Sequence, residues 1–137
     1  MRQVIIYLLC ILLNISFSYN SFATDANDVD EVVQTLMSSM NSRNAKNFSE
    51  FFDNTIDMTY SNNHSTYTRS HAMVILNDFY NKNHPSSFKV DFKGVSPHSD
   101  AQYIIGTAST ENGPYRVYLY IKNKDGKPVV QEMKIAK

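Results

Sequence analysis

Cysteine is nearly missing from this 137-residue chain: the one present is Cys10. Glycine and proline are also scarce, at four each, which excludes collagen-like and linker compositions. Neither sign of charge dominates, with 13 Lys+Arg against 13 Asp+Glu. No tract is rich in Lys or Arg, so nucleic-acid binding by bulk charge is not expected. The four glycines stand apart, at 94, 106, 113 and 126, and make neither a phosphate loop nor a Gly-x-Ser-x-Gly elbow. His64, His71, His84 and His98 never fall at ligand spacing, so neither a metal nor another cofactor is expected.

What is present begins with an address. Met1-Arg2-Gln3 is a short positive start, Val4 to Phe17 is an apolar run, and Ser21-Phe22-Ala23 is a small-x-small exit. These are the three parts of a secretory signal peptide, and the run is short for a membrane span. Residues 1–23 are therefore expected to be removed, placing a single domain, 24–137, in the periplasm or outside the cell without stable membrane insertion. Cys10 leaves with the signal, so that domain holds no disulfide and no thiolate chemistry, and its stability must come from its core.

Val29, Val32, Val33, Leu36, Met37 and Met40 recur at helical spacing and predict an amphipathic helix. A short helix is expected over Ala45 to Phe52, with Phe48, Phe51 and Phe52 on one side. Thr55 to Ser61 alternates, with Ile56, Met58 and Tyr60 facing one way, and a turn at Asn62-Asn63 returns a short strand, His64 to Arg69. Ser70 is a plausible cap for a helix over Ala72 to Lys82 with Ala72, Ile75, Leu76 and Phe79 inward, stopped at Asn83-His84-Pro85. From Ser86 the period switches to two. Phe88, Val90 and Phe92 share a face, and strands follow over 101–110, 115–122 and 129–135, joined at Asn112-Gly113 and Asp125-Gly126. Helices before an antiparallel meander mean α+β, with the helices on one face of the sheet.

The hairpin at Asn112-Gly113 sets the first candidate site. A two-residue turn, or a loop from Glu111 to Pro114, puts Thr110 opposite Tyr115, Thr107 opposite Tyr118, Ile105 opposite Tyr120 and Tyr103 opposite Lys122. Pro114 has no N–H, so a three-residue loop that shifts this pairing stays open. One surface is then Arg116, Tyr118, Tyr120, Lys122, Tyr103, Ile105 and Thr107, and the other is Tyr115, Val117, Leu119, Ile121, Ile104 and Ala108. Tyr and Arg are enriched at binding hot spots, whereas strand propensity alone also favours tyrosine. Met133 and Ile135 join the Tyr118 face if the Asp125-Gly126 loop has two residues, and the Val117 face if it has three with a bulge.

Several groups of residues carry a family resemblance. They are Asn44-Ala45 with Phe52, Ile75-Leu76-Asn77-Asp78-Phe79-Tyr80, and Lys82-Asn83-His84-Pro85 with Phe88. Lys93-Gly94, Tyr103-Ile104-Ile105-Gly106, Asn112-Gly113-Pro114-Tyr115-Arg116-Val117-Tyr118 and Ile121-Lys122 complete the set. Over Val29 to Ile135 the chain resembles the nuclear transport factor 2-like (cystatin-like) superfamily. More closely it resembles domain-of-unknown-function family 4783 of secreted Bacteroidetes proteins. The resemblance implies a curved antiparallel sheet, four long strands plus a short N-terminal hairpin, wrapped around helices as a cone. It brings no activity.

Enzymes of that superfamily place an acid, base or oxyanion donor inside the cone. Tyr60, Tyr67, His71, Asp78 and Tyr103 are the groups here that would fill such a role. Two functions follow. One is a non-catalytic exported protein that binds a small apolar or amphipathic ligand, or a protein partner such as a second copy, through Tyr103, Arg116, Tyr118, Tyr120 and Lys122. The alternative is a small hydrolase, isomerase or dehydratase. The interior discriminates between them: a hollow with a polar tip favours chemistry, whereas one filled by Phe48, Phe52, Phe79 and Phe88 favours a surface role.

Overall fold

The computed structural model describes residues 25–137, and the expected signal peptide lies outside them. Helix α1 (Asp25–Ser42) forms where the periodic apolar residues predict it. Val29, Val32, Val33, Leu36 and Met40 are buried, while Met37 lies at the edge of the stripe, 37% exposed. Arg43, at φ 52°, turns the chain, and the Asn44 side chain caps the next turn by accepting from the Lys46 amide at 3.0 Å.

That turn, α2 (Ala45–Ser49), is shorter than expected. Phe52 does not extend it but opens strand β1 (Phe52–Tyr60), because the Val130 amide takes the Phe51 carbonyl at 2.6 Å and draws the chain into the sheet. Phe48 and Phe52 still meet edge to face, with ring centroids 5.4 Å apart, and both are fully buried.

Strand β1 pairs with β2 (Asn63–Thr68) through Tyr60↔Asn63. The turn is therefore Ser61-Asn62, one residue earlier than expected. Both residues have positive φ, the geometry that matches strand twist in a two-residue hairpin. Helix α3 (Arg69–Asn83) also starts early: Thr68, not Ser70, caps it by accepting from the His71 amide at 3.4 Å. Its end is where proline dictates, with His84 left-handed at φ 47° ahead of Pro85.

Strands β3 (Pro85–Val95), β4 (Gln102–Thr110), β5 (Tyr115–Lys124) and β6 (Lys127–Ala136) form the meander. Strand β1 joins it by lying parallel to β6, which gives one six-stranded sheet in the order β2-β1-β6-β5-β4-β3. The sheet is curved and unclosed, and the helices cover its concave side. Val32 and Leu36 of α1, Leu76 and Phe79 of α3, and Val117, Leu119 and Ile121 of β5 belong to one buried cluster.

Three registers decide which side chains reach which face. Strands β4 and β5 pair through Ala108↔Tyr115, Ile105↔Tyr118 and Tyr103↔Tyr120, two residues away from the expected pairing. Thr110 is not free to meet Tyr115: it pairs with Pro85, and its hydroxyl donates to the Gly113 carbonyl at 2.6 Å. A shift of two preserves the faces, so both expected surfaces form. On β6, Asp125-Gly126 is a two-residue turn with both φ positive, yet Met133 opposes Leu119 and Ile135 opposes Val117, in the core. An irregularity at Gln131, between the Ile121↔Val130 and Tyr120↔Glu132 pairs, supplies the extra residue in place of a longer loop. On β3, Val90 opposes Gly106 but Phe92 opposes Ile105, so Asp91 is extra. Phe92 is thereby turned out of the core face that alternation assigned to it, and is 51% exposed.

Candidate functional site

The outer sheet face collects the aromatic residues. Tyr103 and Tyr120 are cross-strand partners, as are Ile105 and Tyr118, and all four are half-buried. Phe92, delivered by the Asp91 bulge, stacks on Tyr103 with ring centroids 5.9 Å apart and planes at 27°. Gly94 is what admits this stack. A Cβ there would stand 2.5 Å from the Tyr103 ring and 2.9 Å from that of Phe92, so the tyrosine covers bare backbone. The inner face uses the same device at Gly106, where a Cβ would stand 2.3 Å from the buried Phe88 ring and 2.6 Å from the Lys89 carbonyl oxygen.

Charges of both signs ring this patch. Arg116 lies 3.5 Å from Asp91, whose other contact is the Thr107 hydroxyl, donating at 2.7 Å. Lys134 bonds Glu132 at 2.8 Å and sits over the Tyr118 ring, 5.3 Å from its centroid. The Glu132 bond raises the Lys134 pKa above the usual lysine value. Partial burial and then the nearby Glu132 charge raise that of the Tyr118 hydroxyl, so it stays a neutral donor. Lys122 opposes Val129 on β6 and extends the patch toward the far end of the sheet.

The groups expected inside the cone are dispersed. Tyr60, Tyr67 and Asp78 do share a cleft of about 540 Å³ with Val74, Ile75 and Lys82. It is an open groove between the β1–β2 hairpin and α3, not a chamber in the cone. Asp78 in it is already bonded to Lys82 at 2.8 Å, one helical turn away. His71 is exposed and packs its ring against Tyr67 at 4.9 Å, and Tyr103 is on the opposite surface of the sheet. The four phenylalanines lie packed inside the cone: Phe48, Phe52 and Phe79 are 0% exposed and Phe88 is 3%. A fully buried polar pair there is Ser39 with Tyr80, oxygen to oxygen 2.7 Å, and burial pushes the Tyr80 hydroxyl pKa well up.

Alternation and turn residues already point to Tyr103, Arg116, Tyr118 and Tyr120 as neighbours. They miss Phe92, because a bulge inverts a strand without any mark in a two-residue period. Gly94, directly after the alternating Phe88 to Lys93 run, was the available signal.

A six-stranded curved sheet wrapped on helices is the nuclear transport factor 2-like, or cystatin-like, architecture. Within it the chain belongs to the Domain of unknown function family DUF4783, whose profile matches residues 33–136. Solved structures agree. A DUF4783 protein from Bacteroides fragilis is similar at 22% identity and TM-score 0.68, covering 75% of this chain and 95% of that one. Another from Bacteroides uniformis is 19% identical at TM-score 0.68, covering 76% and 94%. A cystatin-like domain of unknown function from Nostoc punctiforme shares 11% identity at TM-score 0.68, covering 83% and 77%. The comparison with curated proteins finds no match.

Proposed function

We propose that this chain is an exported, non-catalytic binding protein that associates with a second copy of itself through the outer sheet face. The observation that carries this reading is the contiguous set Phe92, Tyr103, Ile105, Tyr118 and Tyr120, built by a bulge and a glycine that would be pointless if the surface served only water. Self-association suits the border of the patch. In a twofold interface the surface must complement itself, which needs both signs of charge, and Asp91 and Glu132 stand beside Arg116, Lys122 and Lys134. Tyr118 and Tyr120 would supply the buried area and Arg116 the orientation. The phenylalanines packed inside support a surface role over acid–base chemistry in the cone. The signal-like start supports a periplasmic or secreted location.

The test is native mass spectrometry of protein purified from its own host. A dimer without retained small molecule is expected. A monomer carrying an amphipathic molecule would instead favour the Tyr60–Tyr67 groove, where Val74 is 58% exposed.

A further inference from the structure

Asn112-Gly113 has the residue types of a two-residue hairpin turn, but Asn112 is not left-handed, and Gly113 alone is, at φ 97°. The asparagine has a different task. Its Nδ2 donates to the Lys82 carbonyl at 2.9 Å and to Asn83 Oδ1 at 3.1 Å, closing the C-terminal end of α3. Asn83 is 3% exposed and passes the connection inward, its own Nδ2 donating to the Phe79 carbonyl at 3.0 Å and the Tyr60 hydroxyl at 3.3 Å. The Glu111 amide adds a bond to the Asn83 carbonyl at 3.0 Å. The Glu111 carboxylate also meets the His84 ring nitrogen at 2.7 Å, so the β4–β5 loop is held to the end of α3 by Glu111 and, through both hydrogens of one side-chain amide, by Asn112.

That amide belongs to the only Asn-Gly dipeptide in the chain. Glycine leaves its amide nitrogen unhindered, so this dipeptide is the one most open to imide formation. The Gly113 nitrogen attacks Asn112 Cγ, the new C–N bond replaces Cγ–Nδ2, and the Gly113 amide proton leaves with Nδ2 as ammonia. Water then opens the ring to aspartate or isoaspartate. The native loop opposes each part of this step. The attacking nitrogen donates to the Thr110 carbonyl at 3.1 Å, both Nδ2 hydrogens are engaged, and the Asn112 amide is held by Thr110 Oγ1 at 3.1 Å.

We infer that Asn112 is a deamidation site gated by its latch to Asn83, and that its conversion irreversibly removes the side-chain half of the β4–β5 attachment to α3, leaving only the Glu111 contacts. The product cannot relatch. A carboxylate has no hydrogen to donate to the Lys82 carbonyl or Asn83 Oδ1, and it faces the negative end of the helix.

The purified protein, incubated at mildly alkaline pH with and without denaturing urea, is followed by peptide mapping for the mass gain of amide-to-acid conversion at 112. Conversion in the native state is expected to be slower by about tenfold or more, the protection that local opening equilibria confer. Asn83→Ala, checked as folded by near-ultraviolet circular dichroism, should move the native rate toward the unfolded one. Asn112→Asp should lower the urea midpoint. Equal native and unfolded rates, or an unchanged rate in folded Asn83→Ala, would overturn the inference. If that variant does not fold, the native-to-urea ratio of the unaltered protein decides.

Discussion

Phe92 and Tyr103 stack across β3 and β4, 5.9 Å between centroids, because Asp91 is one residue more than the ladder can pair. Without that bulge Phe92 would point inward beside Phe88 and Val90. Gly94 then lets the Tyr103 ring lie against the backbone. One irregular residue and one missing side chain together add Phe92 to a face that already carries Tyr103, Tyr118 and Tyr120.

Gly94 and Gly106 make a paired test of the two faces. A methyl group at Gly106 meets the buried Phe88 ring and a backbone oxygen, neither free to move. Gly106→Ala is expected to cost about 2–3 kcal/mol or prevent folding. At Gly94 the obstructing atoms are the ends of two surface rings, so Gly94→Ala should cost about 1 kcal/mol or less while weakening association. Urea denaturation of both variants gives the ordering, and equal costs would contradict this account of the faces.

Much of this architecture is legible in the amino-acid sequence. Val29 to Met40 announces α1 by spacing, His84-Pro85 announces the end of α3, and alternation from Tyr115 to Lys122 separates Val117, Leu119 and Ile121 from Arg116, Tyr118 and Tyr120. Apart from small shifts at the Ser61-Asn62 turn and the Thr68 cap, what escaped has one physical origin. Phe52 leaves its helix because the Val130 amide, far away in sequence, donates to the Phe51 carbonyl, and the extra residues at Asp91 and Gln131 exist only relative to partner strands. Local patterns carry no record of such partners. The same holds for Tyr60, Tyr67, His71 and Asp78, for which only the family resemblance implied an enclosed site. Their positions on the hairpin and α3 spread them along an open groove and its flank instead.

Asp53 should give the acid limb of stability part of its slope. Hydrogen bonds from Lys124 at 2.9 Å, the Asn54 amide at 2.8 Å and Gln131 at 3.1 Å hold its carboxyl below the ordinary value of 3.8. A depressed folded pKa contributes stability that is complete above the unfolded value and disappears as pH falls through the folded one. Asp53→Asn should therefore be less stable than the unaltered protein at pH above about 5, with the gap closing as pH drops below about 4. Urea midpoints across that range measure it, and a pH-independent gap would refute the assignment.

The Ser39–Tyr80 pair predicts a rescue. Ser39 Oγ donates its one hydrogen to the Leu36 carbonyl at 2.9 Å, so Tyr80 is the donor in the 2.7 Å contact. Ser39→Ala strands a buried hydroxyl and should cost about 1–3 kcal/mol, less the few tenths that alanine returns in a helix. Adding Tyr80→Phe removes the stranded group and should recover most of the loss. Thermal melts of the single and double variants report this, and additive losses would contradict it.

Sedimentation velocity over a concentration series tests association through the outer face most directly. The unaltered protein is expected to sediment as a dimer. Tyr118→Ala combined with Tyr120→Ala should weaken association by about 100-fold or more while leaving the circular dichroism spectrum unchanged. A monomer at every concentration in the unaltered protein, or a dimer unaffected by loss of both tyrosines, would contradict the account.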